Sequence, residues 1–184
     1  MKKYLIGALV VVLLMSGYLF MTYNSLVKAS EAVDAGWAQV EVQYQRRFDL
    51  IPNIVETVKG FTNQEQTVFA NIAEARTRYS GATTVVDKVN AVNQVESALG
   101  RLLVVAENYP DLRSSQHFTE LNTELEGTEN RISIERKRFN DMVQNYNVMI
   151  KRVPTSIVAS YFSFVEKNYF ESTVGSDKTP SVKF

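Results

Sequence analysis

FTELNTELEGTENRISIERKRFNDMVQNYNVM, residues 118–149, sets Phe118, Leu121, Leu125, Thr128, Ile132, Glu135, Phe139, Met142, Tyr146 and Met149 on one line of positions. The steps between them alternate three and four without a fault, the spacing that turns one face of an α-helix toward a neighbour. The helix read over Ser114–Met149, about 54 Å long with one apolar stripe, cannot bury that stripe alone, so the chain must supply partner helices.

The partners are read upstream. Val92, Val95, Leu99, Leu102, Ala106 and Tyr109 share a face of a helix that follows Asp87 and stops at Tyr109-Pro110-Asp111. Before it, Ser80–Thr84 (SGATT) reads as a loop. Val68, Ile72, Ala75 and Tyr79 continue a helix that Thr62 and Glu65 are spaced to open as a capping box. Farther upstream Val33, Trp37, Val40, Tyr44, Arg47, Ile51, Ile54, Val58 and Phe61 repeat the three-and-four spacing, broken only by Arg47. Pro52 is placed to kink that helix and Gly60 to end it. No segment reads as a strand. The expected fold is all-α: an antiparallel four-helix bundle with long first and last helices, preceded by an N-terminal transmembrane helix.

After Lys2 and Lys3, Tyr4–Thr22 (YLIGALVVVLLMSGYLFMT) holds no charge. About 19 helical residues reach across a hydrocarbon core of about 30 Å. A cleaved signal peptide has a shorter apolar run ending in a small-residue site, whereas Met15-Ser16-Gly17 is followed by more apolar residues, so the segment reads as an uncleaved anchor. Lys2 and Lys3 outweigh the lone Lys28 beyond the other end, which puts the N-terminus in the cytoplasm and the rest outside it. The expected division is 1–23 anchor, 24–171 bundle and 172–184 flexible tail. With no proline before Ile51, the anchor can run on into the first bundle helix.

The chain has 184 residues, 20 basic and 20 acidic side chains, and no cysteine. Balanced charge without a basic block gives no footprint for nucleic acid. The lack of cysteine excludes disulfides, thiolate zinc sites and thiol nucleophiles.

The runs WAQVEVQYQRRFDLIPNIVETVKGF (Trp37 to Phe61), ENYPDL (Glu107 to Leu112), LEGTENRI (Leu125 to Ile132), RFN (Arg138 to Asn140) and YN (Tyr146, Asn147) resemble the LemA family of bacterial membrane-anchored helical proteins. The resemblance extends from the anchor to about Phe170. It implies a membrane helix followed by an all-helical domain, and association with membrane stress functions, in some members beside a membrane zinc protease. It implies no settled chemistry that could be carried over residue by residue.

Di-metal bundles use Glu-x-x-His pairs, and the single histidine, His117, has Ser114 three residues before it. His117 is therefore expected to face solvent or cap a helix. Neither a nucleophile elbow nor a phosphate-binding glycine loop occurs. No catalytic residue, metal or cofactor is expected, and the charges call for another account. With the first and last helices antiparallel, Arg47 is expected level with Gly127, with Arg46 and Arg47 meeting Glu124 and Glu129 and with Arg76 and Glu96 level on the middle helices. A glycine there costs about 1 kcal/mol against alanine, which would make sense as room for an arginine or a close approach. Two readings stand: a polar layer fixing helix register, or independent solvated charges.

The two long helices each exceed the middle pair, about 54 Å against roughly 30 Å. A seam including Trp37, Phe139 and Tyr146 would then be uncovered and form an interaction surface, unless a bend or a shift of the middle helices covers it. The aromatic segment after Pro154 belongs either at the bilayer interface or across the base of the bundle. The function expected is a non-enzymatic scaffold at the bacterial inner-membrane surface, anchored in the bilayer by Tyr4–Thr22 and assembled as a homo-oligomer. The alternatives are an adaptor for a membrane protease or other envelope machinery, and an enzyme with a cryptic carboxylate site.

Overall fold

The computed structural model describes residues 2–62 and 65–170. Six helices follow one another: α1 Lys2–Lys59, α2 Gln66–Gly81, α3 Val85–Glu107, α4 Pro110–Arg113, α5 Gln116–Lys151 and α6 Thr155–Tyr161. Among the described residues there is no strand, so the chain is all-α. The tail expected over 172–184 lies outside the described residues.

α1 is a single helix of 58 residues that carries Pro52 within it. Its first turns expose Leu5, Ile6, Leu9, Leu13, Leu14 and Phe20. By length and composition this stretch could cross a membrane. Gly60 and Phe61 turn out of the helix with Phe61 N–H on the Val58 carbonyl. Phe61, expected on the buried stripe, is exposed: it lies past the last helical turn, where helical spacing no longer applies.

The residues gather into two compact units. The first joins α1 up to Gln39 with Lys137–Tyr169. Its core includes Leu26, Val33, Trp37, Phe139, Val143, Tyr146, Ile150, Val158 and Ala159. Ser25 meets Met149 at 3.9 Å, and the Trp37 ring meets Phe139 edge-on at 5.5 Å. Numbers rise along α1 as they fall along α5, so these two segments are antiparallel.

The second unit joins Val40–Arg136 with Phe170. Val40, Tyr44, Phe48, Ile51, Ile54 and Val58 of α1 share its core with Ile72 of α2, Val92, Val95, Leu99 and Leu102 of α3, Leu112 of α4, and Leu121, Leu125 and Ile132 of α5. α2 and α3 form a helical hairpin whose turn ends on Thr84, which accepts from the Asp87 N–H at 3.1 Å as N-cap. The capping box expected for α2 does not form. Its helix begins at Gln66, so Glu65 sits at the cap itself and makes no side-chain cap; Thr62 donates instead to the Tyr109 hydroxyl at 2.9 Å.

The α5 stripe departs from its expected positions in an instructive way. Phe118, Leu121, Leu125, Thr128, Ile132, Phe139 and Tyr146 are buried as spaced, but Val143 and Ile150 replace Met142 and Met149. An α-helix has 3.6 residues per turn, so a strict three-and-four repeat drifts by about 20° each heptad. Over four heptads that drift approaches the angle between successive residues, and the next side chain takes the inward place.

Candidate functional site

The densest polar constellation lies in the second unit, where α1, α3 and α5 bring charges into a half-buried layer. Arg47 of α1 donates to the Glu129 carboxylate of α5 and lies 3.9 Å from Glu96 of α3. Arg136 of α5 donates through its terminal nitrogen to Glu96 and through Nε to the Tyr44 hydroxyl at 2.6 Å. Its guanidinium also stacks over the Tyr44 and Phe170 rings, at 5.4 and 4.5 Å. Glu41 of α1 takes Lys88 of α3 as its partner. Each cation is thus placed between helices that its anion or ring partner holds from the other side.

Burial sets the electrostatics. The Tyr44 hydroxyl is pushed far above the ordinary tyrosine range by desolvation, an effect that Arg136 only partly offsets. Desolvation also raises the Glu96 carboxyl, against the lowering pull of Arg136 and then Arg47, while Glu129 adds to the rise. Desolvation lowers Arg136, but Tyr44 and Glu96 outweigh it and the guanidinium ends above its usual value. Tyr79, whose ring stands edge-on to Phe48 at 4.5 Å, is raised to about 12 by burial and by Glu41. With its cations and anions paired across α1, α3 and α5, the cluster is suited to holding helices together.

The structure separates the residues grouped by sequence. Arg47 and Glu129 come together. Arg46, Glu124 and Gly127 are exposed and line an open groove of about 240 Å³ with Thr128 and Arg131. A Cβ on Gly127 would meet nothing within 4 Å, so neither a close approach nor an arginine requires a glycine there. Arg136 and Tyr44 went unrecognised as polar partners. Arg136 is four residues beyond Ile132 and three before Phe139, so counting α5 by 3.6 instead of alternating three and four would have found it.

In the first unit the expected uncovered seam is corrected. Trp37, Phe139 and Tyr146 are buried: Trp37 and Phe139 pack against each other, and the chain after α6 returns over Tyr146 of α5. Tyr146 donates its hydroxyl to the Val165 carbonyl at 3.0 Å. The Asn147 amide both donates to the Lys167 carbonyl and accepts its N–H, each at 2.9 Å. Lys167 then reaches Asp34 of α1 at 2.6 and 2.7 Å. The covering segment is irregular, so the lengths of the long helices give no sign of it.

The family model of the LemA family matches residues 36–184. The chain belongs to the LemA family. The resemblance carried by Trp37–Phe61 and Leu125–Ile132 is therefore borne out, and the matched region takes in the charge layer as well as the Asn147 clamp. The magnetosome protein MamQ 2 of Paramagnetospirillum magneticum is 26% identical over 190 aligned positions, covering 89% of this chain and 70% of that protein. MamQ of Magnetospirillum gryphiswaldense matches at the same identity and coverage. Protein LemA of Metamycoplasma hominis is 23% identical over 153 positions, covering 82% of this chain and 69% of its own length.

In this LemA-family chain His117 is exposed. Among the described residues no group of three or more His, Asp or Glu side chains could hold a metal ion.

Proposed function

We propose that the protein is a single-pass, membrane-anchored, non-enzymatic scaffold of the bacterial inner membrane, with residues 1–23 as anchor and 24–171 as an antiparallel four-helix bundle. One observation carries the reading: α1 is a continuous helix of 58 residues whose apolar start is exposed while Leu26, Val33 and Trp37 farther along it are packed. A helix of that kind couples a membrane span directly to a folded module. The charge layer supports a structural role, because its cations and anions face one another between helices. Lys2 and Lys3 favour a cytoplasmic N-terminus and an extracytoplasmic bundle.

The scaffold works as a homo-oligomer in this reading. The second reading is an adaptor for other membrane machinery, favoured by relatives named as magnetosome proteins, which are by name parts of a larger structure. Light scattering on the full chain extracted in mild detergent separates the two. Protein mass at a multiple of 20.8 kDa supports self-assembly; a single chain co-purifying with one membrane protein overturns it in favour of the adaptor. Protease accessibility of the bundle in intact spheroplasts tests the orientation.

A further inference from the structure

α6 carries large apolar residues on its exposed side as well as its packed side, among the hydroxyls of Thr155, Ser156 and Ser160. Val158 and Ala159 are buried in the first unit, whereas Val153, Ile157 and Tyr161 are 81, 67 and 82% exposed. Ile157 and Tyr161 stand one helical turn apart, at i and i+4, and therefore point the same way, while Val153 lies in the turn just before the helix. A helix packed on one face should offer water a polar face on the other; residues 153–165 contain no charge at all. Single exposed apolar residues are ordinary, but several gathered on and just before one short helix mark a surface suited to being covered.

The same unit indicates what covers it. Phe162 and Phe164, directly after α6, pack on Tyr23 at 4.7 and 5.9 Å between ring centroids. Tyr23 is the residue that follows the apolar span Tyr4–Thr22. Aromatic side chains at the end of a span sit at headgroup level, so these contacts set the uncharged segment beside the plane where the span leaves the bilayer. The Lys151–Glu166 ion pair, 2.7 Å apart, closes the neck of the segment, and Arg152 beside it is exposed.

We infer that residues 153–165 form a second membrane contact, in which Val153, Ile157 and Tyr161 dip into the headgroup–acyl boundary of the leaflet beside the anchor. The inference rests on Tyr4–Thr22 being a membrane span. It needs a lipid surface as occupant, not another protein.

The chain has no cysteine, so single-site spin labelling needs no prior substitution. Full-length Leu13→Cys, Ile157→Cys, Tyr161→Cys and Asp141→Cys, each reconstituted in phosphatidylethanolamine–phosphatidylglycerol vesicles, would be read by collision with oxygen and with a water-soluble nickel chelate. Labels at Ile157 and Tyr161 are expected to shift toward oxygen, toward the value at Leu13 and away from that at exposed Asp141. If Leu13 is in lipid while Ile157 and Tyr161 behave like Asp141, the second contact is overturned and the anchor stands. Shielding of Ile157 from both reagents means that a second copy or another protein covers it, which also overturns the lipid assignment. Leu13 outside lipid overturns the anchor and this inference with it. Val153→Cys serves in place of any variant whose circular dichroism shows lost helix.

Discussion

The two units solve different problems with different polar chemistry. In the first, an extended segment lies across α5, and its backbone groups are met by the Asn147 amide and the Tyr146 hydroxyl. In the second, helices meet helices whose backbones are already satisfied, and the contacts between them are ionic: Arg47 with Glu129 and Arg136 with Glu96. Irregular backbone needs a directional partner that can donate and accept at one place, which a neutral amide provides. Helix-to-helix register needs only a position-dependent attraction, which charges supply.

The largest effect should follow loss of Arg136. Removing one partner of a half-buried pair leaves the other without compensation, so Arg136→Ala should lower stability by about 2–3 kcal/mol, read as a drop in thermal midpoint of the full chain in detergent. Arg47→Glu should also destabilise, with partial recovery in the exchanged pair Arg47→Glu with Glu129→Arg; no recovery at all would mean that this pair does not set register. Asn147→Ala should cost about 2 kcal/mol by removing two hydrogen bonds at a buried position. Asn147→Asp, which keeps the acceptor but turns a charged oxygen on the Lys167 carbonyl at a buried position, should cost at least as much as Asn147→Ala. A costlier change at Asn147 than at Arg136 would reverse the contrast between the units.

Glu96 gives that contrast a pH signature. Burial raises its carboxyl above the ordinary value of 4.5 despite Arg136 and Arg47. Native protein therefore binds more protons than unfolded protein between 4.5 and the raised value. The corresponding stability is fully present below 4.5 and is lost as pH rises through the folded value. On acidification from neutrality, the native sequence should gain stability relative to Glu96→Gln. Thermal unfolding of both proteins across a pH series checks the sign; the opposite sign would mean that ion pairing, not burial, governs Glu96. No comparable response is expected of the Asn147 clamp, where the residue cannot ionise.

Much of the helical content was legible because long stripes such as Phe118–Ile132 require a packed face whatever their neighbours are. The α5 boundaries differ from the expected ones by only two residues at each end, within the usual latitude of helix ends. The short helices α4 and α6 were not foreseen, since four and seven residues carry too little periodicity to register. Within the charge layer, Arg47 and Glu129 were found from helix geometry alone. Tyr44 and Arg136 were missed because a tyrosine on the stripe reads as core and because the three-and-four count favours Glu135 over its neighbour. The Asn147 clamp was out of reach, since an extended covering segment has no period that identifies its partner.

The smallest expected effects come from one glycine in each unit. Gly36 and Gly127 both lie inside helices, where glycine costs about 1 kcal/mol relative to alanine. At Gly127 a new Cβ meets nothing within 4 Å, so Gly127→Ala should raise stability by about that amount. At Gly36 a Cβ would lie 2.7 Å from the Met142 sulfur and 3.8 Å from the Phe139 ring. Met142 is partly exposed, and its thioether has room to swing outward, but only by giving up its packing on α1. Gly36→Ala should therefore gain less than Gly127→Ala, about a few tenths of a kcal/mol at most. Equal gains would show that Met142 moves without cost and that α1 and α5 are loosely packed there. A loss at Gly127 would instead give the exposed groove beside Arg46 a need for close approach that its open geometry does not suggest.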